Sequence, residues 1–304
     1  MFYRIKDKVK KTWFNRCCGD VLRSPPICSP RDSDDVTILS AVGNRDLLMY
    51  LVAIKSFYYF FKRGRTLLLV PDNCPQENLA LLEHHVNPLR ILRDSEVDVG
   101  KCPRGGTWER LVAIAHEARD RYVIQLDSDT VTFDKIPEVE SCVDANTSFM
   151  VGTWHEQGLE SLQEASKRVR NANGTHVQML AEKNFDRLPG AESLKYARGQ
   201  SSFAGFRKGS NAFQELERFS EQMEQLLGYS KWREWGSESV SSNFLVANSP
   251  SASVLPHPKY ATYWPPATKY ERSSLIHFEG TNRFREGFYI RKARVMIDKL
   301  NDPV

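Results

Sequence analysis

The segment Tyr122–Leu126 most constrains the fold, because it is an apolar run that ends directly at two carboxylates. Its residues favour a strand that is buried on both faces. Asp127 and Asp129 follow it with one residue between them. Ligands of open α/β sheets bind at the carboxyl ends of such strands, where two aspartates can reach one divalent cation and, through it, phosphate oxygens. The alternative is a solvated turn in which an aspartate caps the next helix.

Strands and helices alternate through the first half of the chain. The sequence predicts strands at Val36–Val42, Thr66–Val70, Leu89–Leu92 and Tyr122–Leu126, and helices at Leu47–Phe61, Glu77–His85 and Thr107–Arg119. This alternation indicates a parallel sheet with right-handed crossovers, as in nucleotide-binding α/β folds. The second half is less regular. We expect a strand at Val151–Thr153, helices at Leu159–Val169 and Ser210–Leu227, a helix or strand at Val240–Ala247, and mostly loop over Ser249–Ala267.

The first eighteen residues are basic and aromatic, and they precede a segment rich in Pro, Ser and Asp at residues 19–35. Ile5, Val9 and Trp13 recur at helical spacing, so one face of a helix is apolar and the rest cationic. Such a helix either packs on the domain or lies on an anionic membrane surface, and a partly disordered tail is the third reading. We expect residues 1–35 to be an N-terminal segment with a linker, residues 36–295 one domain, and residues 296–304 a tail.

Composition excludes several classes of protein. The net charge of +4 is too small and too dispersed for a nucleic-acid-binding protein. The six cysteines lack metal-ligand spacing and fit a reducing compartment. The N-terminus has no secretory signal, and the most apolar run, Leu47–Phe61, is too short to span a bilayer. These features predict a cytoplasmic protein, and the membrane reading of residues 1–18 would place it at the inner face of a membrane.

A second informative segment lies about 150 residues beyond the paired aspartates, at residues 275–283. His277 is a suitable ligand for Mn²⁺ or a similar ion. Gly280 lets a backbone N–H approach a phosphate, and Arg283 can bind phosphate oxygens with its forked guanidinium group. The alternative is a histidine that caps a strand, followed by a turn glycine.

Together the two segments resemble the retaining GT-A glycosyltransferases, and most closely the glycogenin and lipopolysaccharide galactosyltransferase family. That resemblance implies a Rossmann-like, mostly parallel central sheet flanked by helices, with an irregular C-terminal half on the acceptor side. It also implies Mn²⁺ or Mg²⁺ bound by Asp127, Asp129 and His277. Gly280 and Arg283 would then hold the diphosphate of a UDP-sugar, with Ser128 also at the nucleotide.

The resemblance extends to the helix that precedes the paired aspartates. The family carries a basic residue followed by Leu about sixteen residues before the first aspartate, and Arg110-Leu111 stands seventeen residues before Asp127. Arg110 is therefore expected to contact the sugar or a phosphate, unless it is a surface residue of an amphipathic helix. Glu238 is the best candidate for a catalytic carboxylate, with a surface acid in a helical capping box as its alternative.

Other motifs of the family are replaced in this chain. Arg198–Phe206 stands where an Asn-x-Gly segment lines the sugar pocket, and the segment around Glu238 stands where an Asp-Gln pair is common. Arg283-Phe284-Arg285 replaces Lys-Pro-Trp at the end of the histidine motif. These departures leave the donor sugar and the stereochemical outcome open.

The sequence thus predicts a metal-dependent glycosyltransferase that acts on a hydroxyl of a glycan, glycolipid or protein. The bound ion and Arg283 would stabilise the diphosphate as it leaves, with Asp129 essential to that stabilisation. One alternative is a sugar nucleotidyltransferase, although Ser40–Asp46 offers only one Gly and one Arg where such enzymes carry a Gly-rich, basic loop. The other is a glycosyltransferase-like protein that binds without catalysis.

Overall fold

The computed structural model describes residues 2–28 and 35–302, with side chains from residue 9 onward. The helices are Phe2–Cys18 (α1), Leu47–Phe60 (α2), Gln76–His85 (α3), Trp108–Glu117 (α4), Pro137–Asp144 (α5), Leu162–Val169 (α6), Val177–Lys183 (α7), Ala212–Leu227 (α8), Tyr229–Trp232 (α9), Ser237–Ala247 (α10) and Phe288–Asn301 (α11). Among the described residues, no helix combines the length and the apolar character that crossing a bilayer requires.

A central, mostly parallel sheet contains seven strands, and the described residues form fourteen strands in all. They are Ile27–Cys28 (β1), Val36–Ala41 (β2), Arg65–Val70 (β3), Val86–Asn87 (β4), Leu89–Arg93 (β5), Tyr122–Leu126 (β6), Thr130–Thr132 (β7), Phe149–Gly152 (β8), Glu160–Ser161 (β9), Lys195–Tyr196 (β10), Gly199–Phe206 (β11), Ser253–Leu255 (β12), Tyr260–Thr262 (β13) and Leu275–His277 (β14). Helices flank this sheet, so the predicted α/β class is confirmed. Every strand and helix predicted in the first half is present within two residues of its expected ends.

The chain divides into two compact units. Unit 1 comprises Met1–Asp94, Leu126–Pro137 and Pro258–Val304, and unit 2 comprises Ser95–Gln125 and Glu138–His257. In unit 1, β2, β3 and β5 are parallel neighbours, and β13, β14 and β7 form a separate small sheet. In unit 2, β8 lies between β12 and β11, parallel to the first and antiparallel to the second. The predicted domain boundaries at residues 36 and 295 stay predictions.

The helix α2 forms the centre of unit 1. It contains neither Gly nor Pro and buries ten of its fourteen residues, including Lys55 and Ser56. The Ser56 hydroxyl oxygen accepts a hydrogen bond of 3.1 Å from the backbone N–H of Thr132. Because Thr132 ends β7, this bond fixes the strand that follows the paired aspartates.

The N-terminal segment forms the helix α1, and the stripe that packs on unit 1 is not the one through Val9 and Trp13. Phe14 and Cys18 are fully buried, and the Phe14 ring lies 4.5 Å from that of Tyr289 on α11. Val9 and Trp13, which we expected on the apolar face, are 63% and 57% exposed. The side chain of Ile5 lies outside the described residues. In the expected linker, residues 19–23 form a 3₁₀ helix and residues 29–34 lie outside the described residues.

In the second half, the sequence missed the longest strand, β11. Its sequence, Gly-Gln-Ser-Ser-Phe-Ala-Gly-Phe, is small and polar, which is unusual for a strand interior. The glycine at position 205 has a packing reason, since a Cβ there would overlap the Phe149 ring and the Tyr122 hydroxyl. The uncertain segment at Val240–Ala247 is helical, as part of α10, and the expected loop at Ser249–Ala267 contains the short strands β12 and β13.

We predict that Gly205→Ala destabilises the protein by about 1–3 kcal/mol, the usual effect of overpacking a core. The free energy of unfolding from urea denaturation measures this loss. Gly158→Ala is the matched control, because its Cβ would meet no atom within 4 Å. Equal stability of the two variants would show that β8, β11 and β6 are not packed as described.

Candidate active site

A tight turn after β6 presents the paired aspartates. The carbonyl of Asp127 accepts hydrogen bonds from the backbone N–H of Thr130 at 3.2 Å and from its hydroxyl at 2.8 Å. The chain then enters β7 directly, so both carboxylates lie at the carboxyl end of a fully buried strand. Asp129 is buried, whereas Asp127 and Ser128 are half-buried. The predicted position of the aspartates is confirmed, and neither of them caps a helix.

The pairing of β14 with β7 brings His277 to this turn. The strands are antiparallel, with His277 opposite Thr130, and the N–H of Phe278 donates to the Asp129 carbonyl at 2.8 Å. His277 Nε2 consequently lies 3.2 Å from Asp129 Oδ1 and 4.0 Å from Asp127 Oδ2. One ligand atom from each of the three side chains fits within a span of 4.8 Å.

The ring of His277 is oriented from its other side. Its Nδ1 lies 3.4 Å from the hydroxyl oxygen of Thr262, a residue of the adjacent strand β13. A contact of this kind at one ring nitrogen directs the other nitrogen towards a metal. The donor set, two carboxylates and one imidazole, suits Mn²⁺ or a similar divalent ion, so the residues present fit the predicted metal.

Arg283 completes the cluster at Asp129. Its Nε donates to the Phe278 carbonyl at 2.9 Å, and its Nη2 donates to Asp129 Oδ2 at 2.6 Å. Gly280, between His277 and Arg283, has φ of +50°, a left-handed conformation that favours glycine, and a Cβ there would meet no atom within 4 Å. The loop therefore holds the guanidinium group of Arg283 at Asp129 and leaves free space beside the backbone of Gly280.

The charges in this cluster support one another. Burial raises the pKa of Asp129, but the neighbouring His277 and Arg283 outweigh that effect, so the net shift is downward. Burial lowers the pKa of His277, and the two aspartates outweigh it in the opposite direction, so the net pKa lies above its usual value. Asp129 is thus ionised over the physiological range, as a metal ligand must be.

A second cluster of predicted residues lies within unit 2. Arg110, on α4, is only 5% exposed, and Glu238, in the first turn of α10, is only 3% exposed. Arg110 Nη2 donates to Glu238 Oε1 at 3.1 Å and to the carbonyl of Ser201 at 3.1 Å. The surface alternatives for both residues were wrong. Glu238 caps nothing, since Gly236 is the N-cap residue and has no side-chain bond.

Two hydroxyl groups complete the environment of Glu238. Ser201 Oγ donates to Glu238 Oε2 at 2.9 Å, and Thr107 Oγ1 donates to the same oxygen at 3.1 Å. Sequence reasoning missed both residues, as well as Thr262 beside His277. The signal for Ser201 was its place in Arg198–Phe206, the segment that replaces the sugar-pocket motif of the family. Thr107 and Thr262 carry no signal, because their role depends on contacts distant in sequence.

Four aromatic residues of segment 260–270 could either stack on a sugar or pack in the core, and they are Tyr260, Tyr263, Trp264 and Tyr270. The three tyrosines are buried, with the Tyr263 and Tyr270 rings 5.8 Å apart. Trp264 alone among these four is exposed, at 63%. The tyrosines therefore belong to the core of unit 1, and only Trp264 stays available for stacking.

Solved structures define the class of fold. The galactosyltransferase LgtC, in complex with donor and acceptor sugar analogues, is similar over 88% of this chain and 97% of its own, with a TM-score of 0.53 and 10% identity. The bifunctional glycosyltransferase WbbM is similar over 91% of this chain, with a TM-score of 0.51 and 14% identity. This chain spans about half of WbbM, 51% of its length.

The chain therefore has the fold of the GT-A glycosyltransferases, which confirms the fold that the two motifs predicted. No protein-family model matches the sequence, and no curated protein is detectably similar to it. Since identity to the solved structures is so low, the likeness establishes the fold, and the activity has to be argued from the side chains.

We predict that Glu238→Gln destabilises the protein by about 3–5 kcal/mol, because it leaves the buried Arg110 charge without its partner. The double variant Arg110→Met with Glu238→Gln is expected to lose less than the sum of the two single losses. Urea denaturation of all four proteins measures this coupling. Asp120→Asn, which breaks an exposed pair with Arg119, is the control and should leave stability unchanged. Additive single losses would contradict the buried pair.

Proposed function

We propose that this protein is a metal-dependent glycosyltransferase that transfers a sugar from a nucleotide diphosphate sugar, a UDP-sugar, to a hydroxyl group. The convergence of Asp127, Asp129 and His277 in a glycosyltransferase fold carries the proposal. The acceptor would be a hydroxyl of a glycan, glycolipid or protein, and the anomeric configuration would be retained. Mn²⁺ is the proposed ion, with Mg²⁺ as the alternative.

The side chains divide the work on the donor. Asp127, Asp129 and His277 would hold the ion, which acts as a Lewis acid on the leaving diphosphate. Arg283, already at Asp129, adds positive charge at the same place, and the open backbone at Gly280 leaves room for a phosphate. Ser128 lies between the two aspartates, where it would contact the nucleotide.

The transfer itself needs one bond to form and one to break at C1 of the sugar. The acceptor oxygen attacks C1 on the face from which the diphosphate departs, and the acceptor proton passes to the leaving phosphate oxygen. We assign donor contact to Arg110 and stabilisation of positive charge at C1 to Glu238. Because Arg110, Ser201 and Thr107 all donate to Glu238, its carboxylate is held in one orientation.

The alternatives predict different products. A sugar nucleotidyltransferase needs a basic, Gly-rich loop after the first strand, and here Asp46 of that segment is instead paired with Lys11 at 2.7 Å. A binding protein without catalysis would hold the nucleotide and never release the sugar. Donor hydrolysis in the presence of metal separates the proposal from both.

We predict that the protein binds UDP in the presence of Mn²⁺ and loses this binding with a chelator or with Asp129→Asn. Calorimetric titration of UDP measures the binding, and release of sugar from UDP-sugars measures turnover. Removing one charge-stabilising group typically lowers turnover about 10²–10³-fold. Asp134→Asn is the matched control, because Asp134 is exposed and lies shortly after β7, the strand that Asp129 precedes.

The outcomes of this titration are distinct. GDP binding without UDP binding would support the proposed site and show that its nucleotide is a guanosine rather than a uridine diphosphate. Nucleotide binding without sugar release would favour the non-catalytic reading, and formation of a nucleotide-sugar with release of pyrophosphate would favour the nucleotidyltransferase. Binding of neither nucleotide by the folded protein would contradict the proposed function.

We also propose that α1 contacts an anionic membrane surface. Val9 and Trp13 lie one turn apart and point to solvent, with the exposed cations Lys10 and Arg16 on the same helix. Exposed apolar side chains flanked by cations are typical of helices that lie in a bilayer interface. The opposite stripe, Phe14 and Cys18, fixes α1 to unit 1.

We predict that the variant with Val9→Ser and Trp13→Ser no longer sediments with vesicles that contain phosphatidylglycerol. The wild-type protein should sediment with these vesicles and much less with neutral ones, because the cations of α1 act through the surface charge. Trp235→Ser is the control, since Trp235 is equally exposed in unit 2. Equal sedimentation of all three proteins would end the proposal.

A further inference from the structure

A groove of about 390 Å³ opens in unit 1, away from the paired aspartates in sequence. It lies among the segment that follows the first 3₁₀ helix, the second half of α2 and the end of α11. Its lining residues are Pro25, Pro26, Ile27, Cys28, Lys55, Tyr58, Tyr59, Lys62, Lys299 and Leu300. A volume of this size is within the range of small-molecule sites, and nothing in the proposed transfer reaction uses it.

The walls of the groove are mostly apolar. Pro25, Pro26, Ile27 and Leu300 contribute aliphatic surface, and the neighbouring Tyr58 and Tyr59 contribute aromatic rings. The Tyr58 hydroxyl is already in contact with Gly64 and Thr66. An occupant therefore needs an apolar body, because the walls offer it little hydrogen bonding.

The charged side chains that line the groove are all cationic. Lys62 and Lys299 are exposed, while Lys55 is only 1% exposed. The lining residues include neither Asp nor Glu. The groove thus combines apolar walls with two exposed ammonium groups and the buried one of Lys55.

Lys55 is a buried charge whose partners are all neutral. Its Nζ lies 3.0 Å from the Ser24 carbonyl, 2.8 Å from the Ser24 hydroxyl, 3.0 Å from the Pro25 carbonyl and 3.1 Å from His85 Nδ1. Burial and the nearby Lys55 lower the pKa of His85 to about 4, so this ring is neutral at pH 7. Within residues 2–28 and 35–302, no carboxylate pairs with Lys55.

A buried ammonium group without a counter-charge is costly, and burial lowers the pKa of Lys55 to about 8. Hydrogen bonds satisfy its three N–H groups but do not neutralise the charge. An anion in the groove would supply that charge, with Lys62 and Lys299 beside it.

The surroundings of the groove indicate what kind of anion. The side chain of Asn301 donates to the Asp20 carbonyl at 3.4 Å, which joins the end of α11 to the first 3₁₀ helix. Apolar walls with the exposed ammonium groups of Lys62 and Lys299 beside them are suited to an anion that carries an alkyl chain.

We propose that this groove binds a single-chain anionic lipid, with the alkyl chain against Tyr58, Tyr59 and Leu300, the carboxylate at the exposed Lys62 and Lys299, and the buried charge of Lys55 behind it. The proposal does not rest on the proposed glycosyl transfer, because none of the lining residues belongs to that site. It also does not require α1 to bind a membrane.

Fluorescence titration with cis-parinaric acid tests the groove in the full-length protein. We predict saturable binding that Lys299→Glu and Lys55→Met each weaken about tenfold, as expected for loss of one partly screened charge interaction. Lys269→Glu, which changes an exposed lysine outside the groove, is the control and should bind as the wild type does. Leu300→Trp, which fills the groove without changing its charge, should also weaken the binding of cis-parinaric acid.

Three results would overturn the proposal. They are the absence of saturable binding, equally tight binding of the uncharged methyl ester, and unchanged binding by both Lys299→Glu and Leu300→Trp. Lys299 is exposed and Leu300 is half-buried, so both variants at these positions are expected to fold. Thermal melting before the titration verifies this. A loss of binding by Lys55→Met alone would indicate a folding effect and would count against the groove.

Discussion

The antiparallel pairing of β7 with β14 is the interaction on which the candidate active site depends. It joins two segments about 150 residues apart and places His277 3.2 Å from Asp129. The pairing is stabilised from the opposite side, because Ser56 on the buried helix α2 accepts the N–H of Thr132. The ligand geometry is therefore set by backbone hydrogen bonds of the core, and such a site is held more precisely than one on a free loop.

The sequence predicted the elements of this site because each carries a strong local signal. Buried strands have continuous apolar sequences, and carboxylates that directly follow such a sequence are easily recognised. The contacts of Arg110 could not be read in the same way. Its helix is amphipathic, and burial of an arginine there depends on Glu238, 128 residues away. The strand β11 was missed for a related reason. Its glycines and serines have little strand propensity, and small residues are needed there because neighbouring side chains pack closely against the strand.

The N-terminal helix shows the same limit in another form. Two apolar stripes share α1, one through Val9 and Trp13 and one through Phe14 and Cys18. Periodicity shows that each forms a face, but only the tertiary partner decides which face is buried. The rings of Tyr289 and Phe284 cover Phe14, at 4.5 Å and 6.2 Å, and this leaves Trp13 in solvent. The larger aromatic residue is thus the exposed one, which a hydrophobicity pattern alone does not predict.

The buried charges of Arg110 and Lys55 differ in how they are neutralised. Arg110 and Glu238 neutralise each other, and the hydroxyls of Ser201 and Thr107 complete the set, so this cluster is self-sufficient and orients its members. Lys55 is buried to the same degree, yet its described partners are neutral and a groove adjoins it. Desolvating a charge is repaid only by an opposite charge or by strong polar contacts. The imbalance at Lys55 therefore indicates a ligand that supplies a negative charge, whereas the balance at Arg110 and Glu238 holds both side chains in one orientation before any donor binds.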